Sequence, residues 1–535
     1  MNRRNFIKNS ASIIAAGSLL EQCSVTPKHP IKGSIVGANS KTGHLLRNAK
    51  WQDSSSVTTV DTVIIGGGIS GLSAARWLNS NGHENFLLVE LDNETGGNAV
   101  AGKNNVSAYP WGAHYVPIPN NDLKEYLAFL EEATVITGYD EKKVPIINDY
   151  FLCFEPQERL YLNGYWQEGL IPEFGVPKNE RLQIKSFMSA MNVFRLAKGS
   201  DGKDAFAIPV DNSSEDDIYR HLDNATMKEW MADNGYSSTY LNWYVNYCCR
   251  DDYGTDYSRA SAWAGIHYFA GRKGVAANAP PQSVITWPEG NSWLAARLRK
   301  SFEKKIYTNH LATKIRTDHN GVRVCVVDVE TNAVKIIHAK KCIIAVPQFV
   351  AVHLLEDADE RKKIIADKFN YQPWMVANIT AGKMSERDGA ALSWDNVLYK
   401  GRALGYVEAT HQHLQQIEEN KVFTYYYPLT EKSATEERQL AYERSFTDWT
   451  NIVVDDLSTA HNNVASKIIN MDVWVWGHAM ISPRPGFIHG LEKKQLQQPI
   501  NDKIFFAHTD LSGISIFEEA FYQGIKAAQD LLKTV

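Results

Sequence analysis

Residues 62–90 constrain the fold of this chain more than any other stretch. Thr62-Val63-Ile64-Ile65 is a β-branched run, and Gly66-Gly67-Gly68-Ile69-Ser70-Gly71 follows at once. Leu72, Ala75 and Leu78 then recur at helical spacing until Asn81-Gly82, and Phe86-Leu87-Leu88-Val89 leads into Glu90. Strand, glycine turn, helix, strand and acid in this order form a dinucleotide-binding fingerprint. Gly66 permits the tight turn, Gly68 lets backbone approach a pyrophosphate, and Gly71 lets helix and strand pack closely. Ile69 and Ser70 open the helix, whose free N–H groups and positive dipole end face the phosphates. Glu90, with Leu91 beside it, is placed to accept from ribose hydroxyls, and its charge disfavours a 2′-phosphate.

The rest of the 535 residues must fit around that unit. Hydrophobic residues make up 44% and charged residues 22%, which excludes a disordered chain and a polytopic membrane protein. A net charge of −5 gives no electrostatic footprint for nucleic acid. The six cysteines include no CxxC pair, which argues against a zinc ribbon or a dithiol redox site. Cys248 and Cys249 read as buried structural thiols. His411-Gln412-His413 would share a strand face, but no third ligand stands nearby, so no metal is expected.

The N-terminus reads as an address. Asn2-Arg3-Arg4-Asn5-Phe6-Ile7-Lys8 precedes an apolar run, Ala11 to Leu20, far short of the ~18–20 residues that span a bilayer. The paired arginines followed by Phe-Ile-Lys resemble a twin-arginine signal. Residues 1–30 are therefore expected to direct export to the periplasm through the twin-arginine machinery, with no transmembrane segment in the mature chain. Cys23 stands where a lipid anchor could attach, but Leu20-Glu21-Gln22 departs from the small residues that such a site wants. Residues 31–56 read as a polar tether.

Past Glu90, Gly96-Gly97-Asn98 brings a second glycine pair, which lets another backbone segment pass close to an extended cofactor. Tyr109-Pro110-Trp111-Gly112-Ala113-His114-Tyr115 follows. Further on stand Trp287-Pro288-Glu289-Gly290-Asn291-Ser292, a strand-like stretch containing Ala312, and Lys341 to Pro347 ending in Ala-x-Pro. The C-terminus reads Ile504 to Asp510, then Phe517-Glu518-Glu519-Ala520-Phe521. Together these segments resemble the flavin-containing amine oxidase superfamily, which also holds polyamine oxidases, L-amino-acid oxidases and desaturase relatives.

That resemblance implies an α/β protein: a Rossmann-like FAD-binding domain from residues 57–120, 285–350 and 470–535. An α+β substrate domain, residues 121–284 and 351–469, is inserted between those segments. It implies FAD contacts at Gly66, Gly68, Ile69, Ser70, Gly71, Glu90, Leu91, Gly96, Gly97, Asn98, Trp111, Gly112, Ala113, His114 and Ala312. Asp510, Phe517, Glu518 and Ala520 join them, because the last helix start would face the flavin N1–C2=O edge, where charge gathers on reduction. The flavin should be non-covalent, since no cysteine follows Cys342. Asn98, His508, Glu519 and Gln523 depart from the family's usual residues.

Two readings of the reaction stand open. One is amine oxidation by hydride transfer to flavin N5, with Tyr115 and Trp476 as aromatic walls of a small-molecule site. The other is a C–C dehydrogenation, desaturation or isomerisation with an acceptor other than oxygen. The second gains from Trp374 to Thr380, where many of these oxidases carry a lysine and this chain has Asn378, a candidate water holder. A flavin-bearing module without turnover is the third alternative.

Overall fold

The computed structural model describes residues 30–37, 39–414 and 419–534, and two large sheets organise them. The proposed export signal lies outside the described residues, except for Pro30.

The first sheet carries the fingerprint. Strand Val57–Ile65 sits between Phe86–Val89 and Val334–Ile344, parallel to both, and Ile306–Tyr307 extends the edge beyond Phe86–Val89. The long strand Val334–Ile344 has two partners on its other side. Its first half pairs antiparallel with Gly321–Asp328, and Cys342–Ile344 pairs parallel with Ile504–Phe506. Val63, Ile64 and Ile65 are buried because helices or loops cover both faces, as parallel sheets require. Helix Ile69–Ser80 buries Leu72, Ala75 and Leu78 and packs on the C-terminal helix Phe517–Leu532. Gly524 allows that approach, since a Cβ there would collide with the Ser70 carbonyl oxygen.

The second sheet has eight strands in the order Ile35–Val36, Ile468–Ile481, Tyr371–Gly382, Asn420–Pro428, Gly405–Glu408, Asp395–Leu398, Glu158–Leu162, Tyr165–Glu168. Tyr371–Gly382 is buried along nearly its whole length because it pairs on both edges and is covered on both faces. Ile468–Ile481 alternates instead. Val473 and Val475 enter the core beneath helix Phe446–Leu457, while Trp474 and Trp476 pack on the opposite face. The strand thus belongs to the second sheet, whereas the sequence had suggested the cofactor half; the strand's tryptophan face is what meets the cofactor region.

A second difference lies upstream. Residues 31–56 are not a bare tether: Ile35–Val36 pairs parallel with Val473 and Trp474, and helical turns follow at Ser40–Gly43 and His44–Asn48. Three helices complete the cover of the second half. Lys178–Leu196, Thr239–Tyr253 and Ala262–Ala270 pack on one another. Thr239–Tyr253 starts on Ser238, whose hydroxyl accepts from the Leu241 N–H, and ends on Gly254 in the left-handed region.

Candidate active site

Where the two sheets meet, a cavity of about 640 Å³ runs over the fingerprint. Gly66, Gly68, Ile69, Ser70, Glu90, Leu91, Gly96, Gly97 and Asn98 line it, with Ala113, Ala312, Asp510, Phe517 and Ala520. Its size falls within the usual range of small-molecule and cofactor sites.

The glycines have separable jobs. A Cβ on Gly71 would collide with the Gly66 carbonyl oxygen, so Gly71 sets the strand–helix approach from behind the cavity. A Cβ on Gly68 would meet only the Gly97 Cα, at 3.9 Å, so this position opens onto the cavity. Gly96 and Gly97 both hold positive φ, +142° and +58°, and bring the second glycine turn against the first. Glu90 Oε2 accepts from the Gly67 N–H at 2.6 Å and Oε1 from the Asp92 N–H at 2.9 Å. Burial nevertheless lifts its carboxyl to about 7.

At the far end the helix Phe517–Leu532 begins without a side-chain cap, so its first N–H groups remain available beside Ile516 and Phe517. Asp510 accepts from the Tyr371 hydroxyl at 2.6 Å and the Gln348 N–H at 2.7 Å, and lies 2.9 Å from His508 Nδ1. Burial pushes the Asp510 carboxyl up, but His508 and these hydrogen bonds outweigh it and hold it low.

A second, smaller cavity of about 170 Å³ adjoins the first. Asn98, Ala113, Trp476, Ala479, Ile516 and Phe517 line both, which marks the shared wall. Trp476 Nε1 donates to the Trp111 carbonyl at 2.7 Å, and the indole stacks on Trp474 at 4.9 Å. Trp111 itself lies behind the walls of both cavities, buried between Tyr109 and Trp474. Gly112, His114, Tyr115 and Glu518 face only the smaller cavity. His114 stacks on Tyr426 at 4.5 Å, and burial lowers its imidazole to about 4, so it is neutral at pH 7.

The smaller cavity is acidic. Asp251, Asp252, Asp395 and Glu518 line it, against one cation, Arg272. Arg272 Nη2 is 2.6 Å from Asp252 Oδ1, so that pair is satisfied. The Tyr115 hydroxyl faces Asp251 and the Tyr247 hydroxyl faces Asp395, each favouring the charged carboxylate. Burial, then the neighbouring Asp252, lifts Asp251 to about 7. Burial, then Glu158 one strand away in register, lifts Asp395 well above the carboxylate range. Two unpartnered polar atoms complete the wall, the Asn291 side-chain amide oxygen and the Trp374 indole N–H.

The sequence reading missed Asp251, Asp252, Arg272 and Asp395. The one available signal was Tyr247 and Asp251, four apart on a helix and therefore on one face. Asn378, in contrast, lines neither cavity. Its amide donates to the Pro110 carbonyl at 2.9 Å and accepts from Thr424 at 2.7 Å. His411 and His413 sit in a turn, not a strand, and face different partners, the Phe154 carbonyl and Ser107.

A dinucleotide cavity joined to a smaller chamber through an aromatic wall suits a nucleotide cofactor beside a small substrate, and comparison with known proteins decides the family. The family model described as flavin containing amine oxidoreductase matches residues 69–532. The chain belongs to that family. Its cofactor is FAD, and the enzyme is an FAD-dependent oxidoreductase.

Solved structures share the fold at low identity. Wild-type putrescine oxidase bound to putrescine superposes with a TM-score of 0.65 at 12% identity, over 89% of this chain and 100% of that one. Cyclohexylamine oxidase from Brevibacterium oxydans IH-35A gives 0.63 at 15%, over 89% and 99%. A fatty acid isomerase from P. acnes gives 0.59 at 14%, over 87% and 97%. No curated protein matches the sequence.

The larger cavity fits FAD on its own evidence. The bare Gly68 surface, the free helix starts at Ile69 and Phe517, and Glu90 beside Ala312 match a phosphate, a flavin edge and a ribose in turn. No cysteine lines the cavity among the described residues.

Proposed function

We propose that this flavoenzyme oxidises an amine that enters as a cation. The observation that carries the reading is the four carboxyl groups set against one already paired guanidinium around the chamber beside the flavin wall. Buried carboxyls lifted toward neutrality regain their charge most readily beside an ammonium group. The same chamber opposes a carboxylate substrate, because Arg272 is engaged by Asp252. That favours an amine over the C–C chemistry of a fatty-acid type substrate.

Bound FAD supplies the acceptor for two electrons and the hydride from the carbon beside nitrogen, leaving an iminium that water hydrolyses to a carbonyl compound and free amine. The chain's own residues orient and protect. Trp476 and Tyr426 give the chamber aromatic sides, and Tyr426 is fixed by donating to the Gly112 carbonyl at 2.9 Å. Tyr115 is held by backbone pairing to Thr286 and by edge contacts with His114 and Trp394, with its hydroxyl toward Asp251. Asp251 anchors the cation and, near pH 7, can take the proton that a substrate ammonium must lose before its C–H bond reacts. The uncapped helix start at Phe517 would offer its N–H groups to the negative charge that the flavin gains on reduction.

Product analysis tests this reading. Incubation with primary and secondary amines should yield the matching aldehyde or ketone, and Asp251→Asn should suppress it. Conversion of unsaturated fatty acids with no carbonyl product from any amine would reverse the assignment.

We also propose export by the twin-arginine route, on the basic, apolar and polar order of the N-terminal residues. Changing Arg3 and Arg4 to lysine should leave the protein in the cytoplasm, and unchanged periplasmic recovery would refute it.

A further inference from the structure

We infer that residues 39–47, upstream of the fingerprint, form part of the FAD site: a strap across the cofactor cavity that presents Arg47 to the pyrophosphate.

The segment is fixed to both sheets. On one side Ile35–Val36 pairs with Val473 and Trp474, and the Ser34 N–H donates to Asp472 at 3.0 Å. On the other side the Trp51 ring lies within 4.4 Å of the Arg316 guanidinium, and the Ser54 hydroxyl donates to the Val334 carbonyl at 2.7 Å. The chain then enters Val57–Ile65. Between these attachments it crosses the cofactor region, where Asn39, Ser40, Gly43, His44, Leu46 and Arg47 line the cavity.

Two contacts seat the strap. Leu46 is 6% exposed, and its turn packs on helix Gln348–Leu354, itself a cavity wall. A Cβ on Gly43 would touch the Leu91 side chain at 3.7 Å, so the strap lies against the residue following Glu90. Asn39 and Asp92 line the same corner of the cavity, and the Asn39 backbone favours the charged Asp92 carboxylate.

Charge supplies the second argument. Among the described cavity-lining residues Arg47 is the one lysine or arginine, and it forms no ion pair with any described residue. A dinucleotide brings two negative phosphates, and a helix N-terminus answers with only about half a positive charge. An arginine with no internal partner, on a segment held over that cavity, has a bidentate phosphate as its natural counter-ion. The sequence concealed this because Arg47 lies in a short polar stretch with no motif.

The test is FAD release, followed by flavin fluorescence, from purified holoenzyme carrying Arg47→Gln or Arg47→Lys. Because Arg47 is exposed, the expected increase in FAD dissociation constant for Arg47→Gln is about fivefold. Arg47→Lys should recover most of the loss, and unfolding of the apoproteins should coincide. Amides of residues 40–48 should exchange with solvent more slowly when FAD is bound. Wild-type FAD retention in Arg47→Gln would overturn the charge assignment, and FAD-independent exchange over residues 40–48 would overturn the strap.

Discussion

The cofactor half and the substrate half of this enzyme use the chain differently. The cofactor cavity is lined in large part by backbone features, the glycine turns and two helix starts, with Glu90, Asp92 and Asp510, nearly all drawn from short contiguous stretches. Around the smaller chamber, recognition is by side chain. Asp251 comes from a helix, Arg272 from the loop after another, Asp395 and Tyr426 from separate strands, and Glu518 from the C-terminal helix. Backbone recognition is tied to local geometry and resists change. Side-chain recognition assembled from distant segments can be retuned one residue at a time, which is how one flavin scaffold serves many substrates.

The comparison can be broken at either end. The largest effect is expected from Gly71→Val, which drives a branched side chain into the Gly66 carbonyl. It should lower stability by about 3 kcal/mol, and flavin absorbance of the purified protein should be lost. Asp251→Asn should do the opposite, keeping the flavin while amine kcat/KM falls about 100-fold, or roughly 2.7 kcal/mol.

A pH titration sharpens the same contrast. Asp251 is neutral below about 7 and charged above it. Affinity for a non-oxidisable diammonium ligand should therefore fall as pH drops through 7, by up to about tenfold per unit. Asp251→Asn should flatten that slope. In the ligand-free protein the sign reverses. The raised carboxyl contributes stability that is complete below the ordinary carboxylate range and lost as pH rises through about 7, which thermal unfolding against pH would register.

On the cofactor side, Glu90→Gln weakens the acceptor of two backbone N–H groups in the fingerprint corner, and, if Glu90 also meets the ribose, the FAD dissociation constant should rise about tenfold. The smallest effect is expected from Asn378→Ala. Its amide bridges Pro110 and Thr424 away from both cavities, so the loss is about 1–2 kcal/mol of stability. Calorimetry should register a melting point lower by a few degrees, and the rate of flavin reduction by amine should hold.

These differences also explain what could be read from the sequence. Strand Val57–Ile65, helix Ile69–Ser80 and Glu90 are legible because period, glycine and acid follow one another in a single stretch between residues 57 and 90. The C-terminal helix is legible from Phe517-Glu518-Glu519-Ala520-Phe521 through its resemblance to the family's closing helix. The sheet of Ile468–Ile481 was not legible, because its pairing with Tyr371–Gly382 is a contact nearly a hundred residues away in sequence. Residues 39–47 carry no periodicity, so only tertiary contacts reveal their place beside the cofactor. Asp251 and Asp395 belong to elements that look like ordinary helix and strand; burial, with Asp252 beside the one and Glu158 beside the other, gives them their chemistry.

The central claim is that an acidic chamber beside the flavin selects cationic amines. Anaerobic mixing of the holoenzyme with matched amine, alcohol and carboxylic acid compounds, followed by the visible flavin absorbance, tests it most directly. The account predicts that an amine bleaches the flavin bands, that its alcohol and acid counterparts leave them intact, and that Asp251→Asn slows the bleaching. Bleaching by the acid or alcohol series with no response to any amine would contradict it.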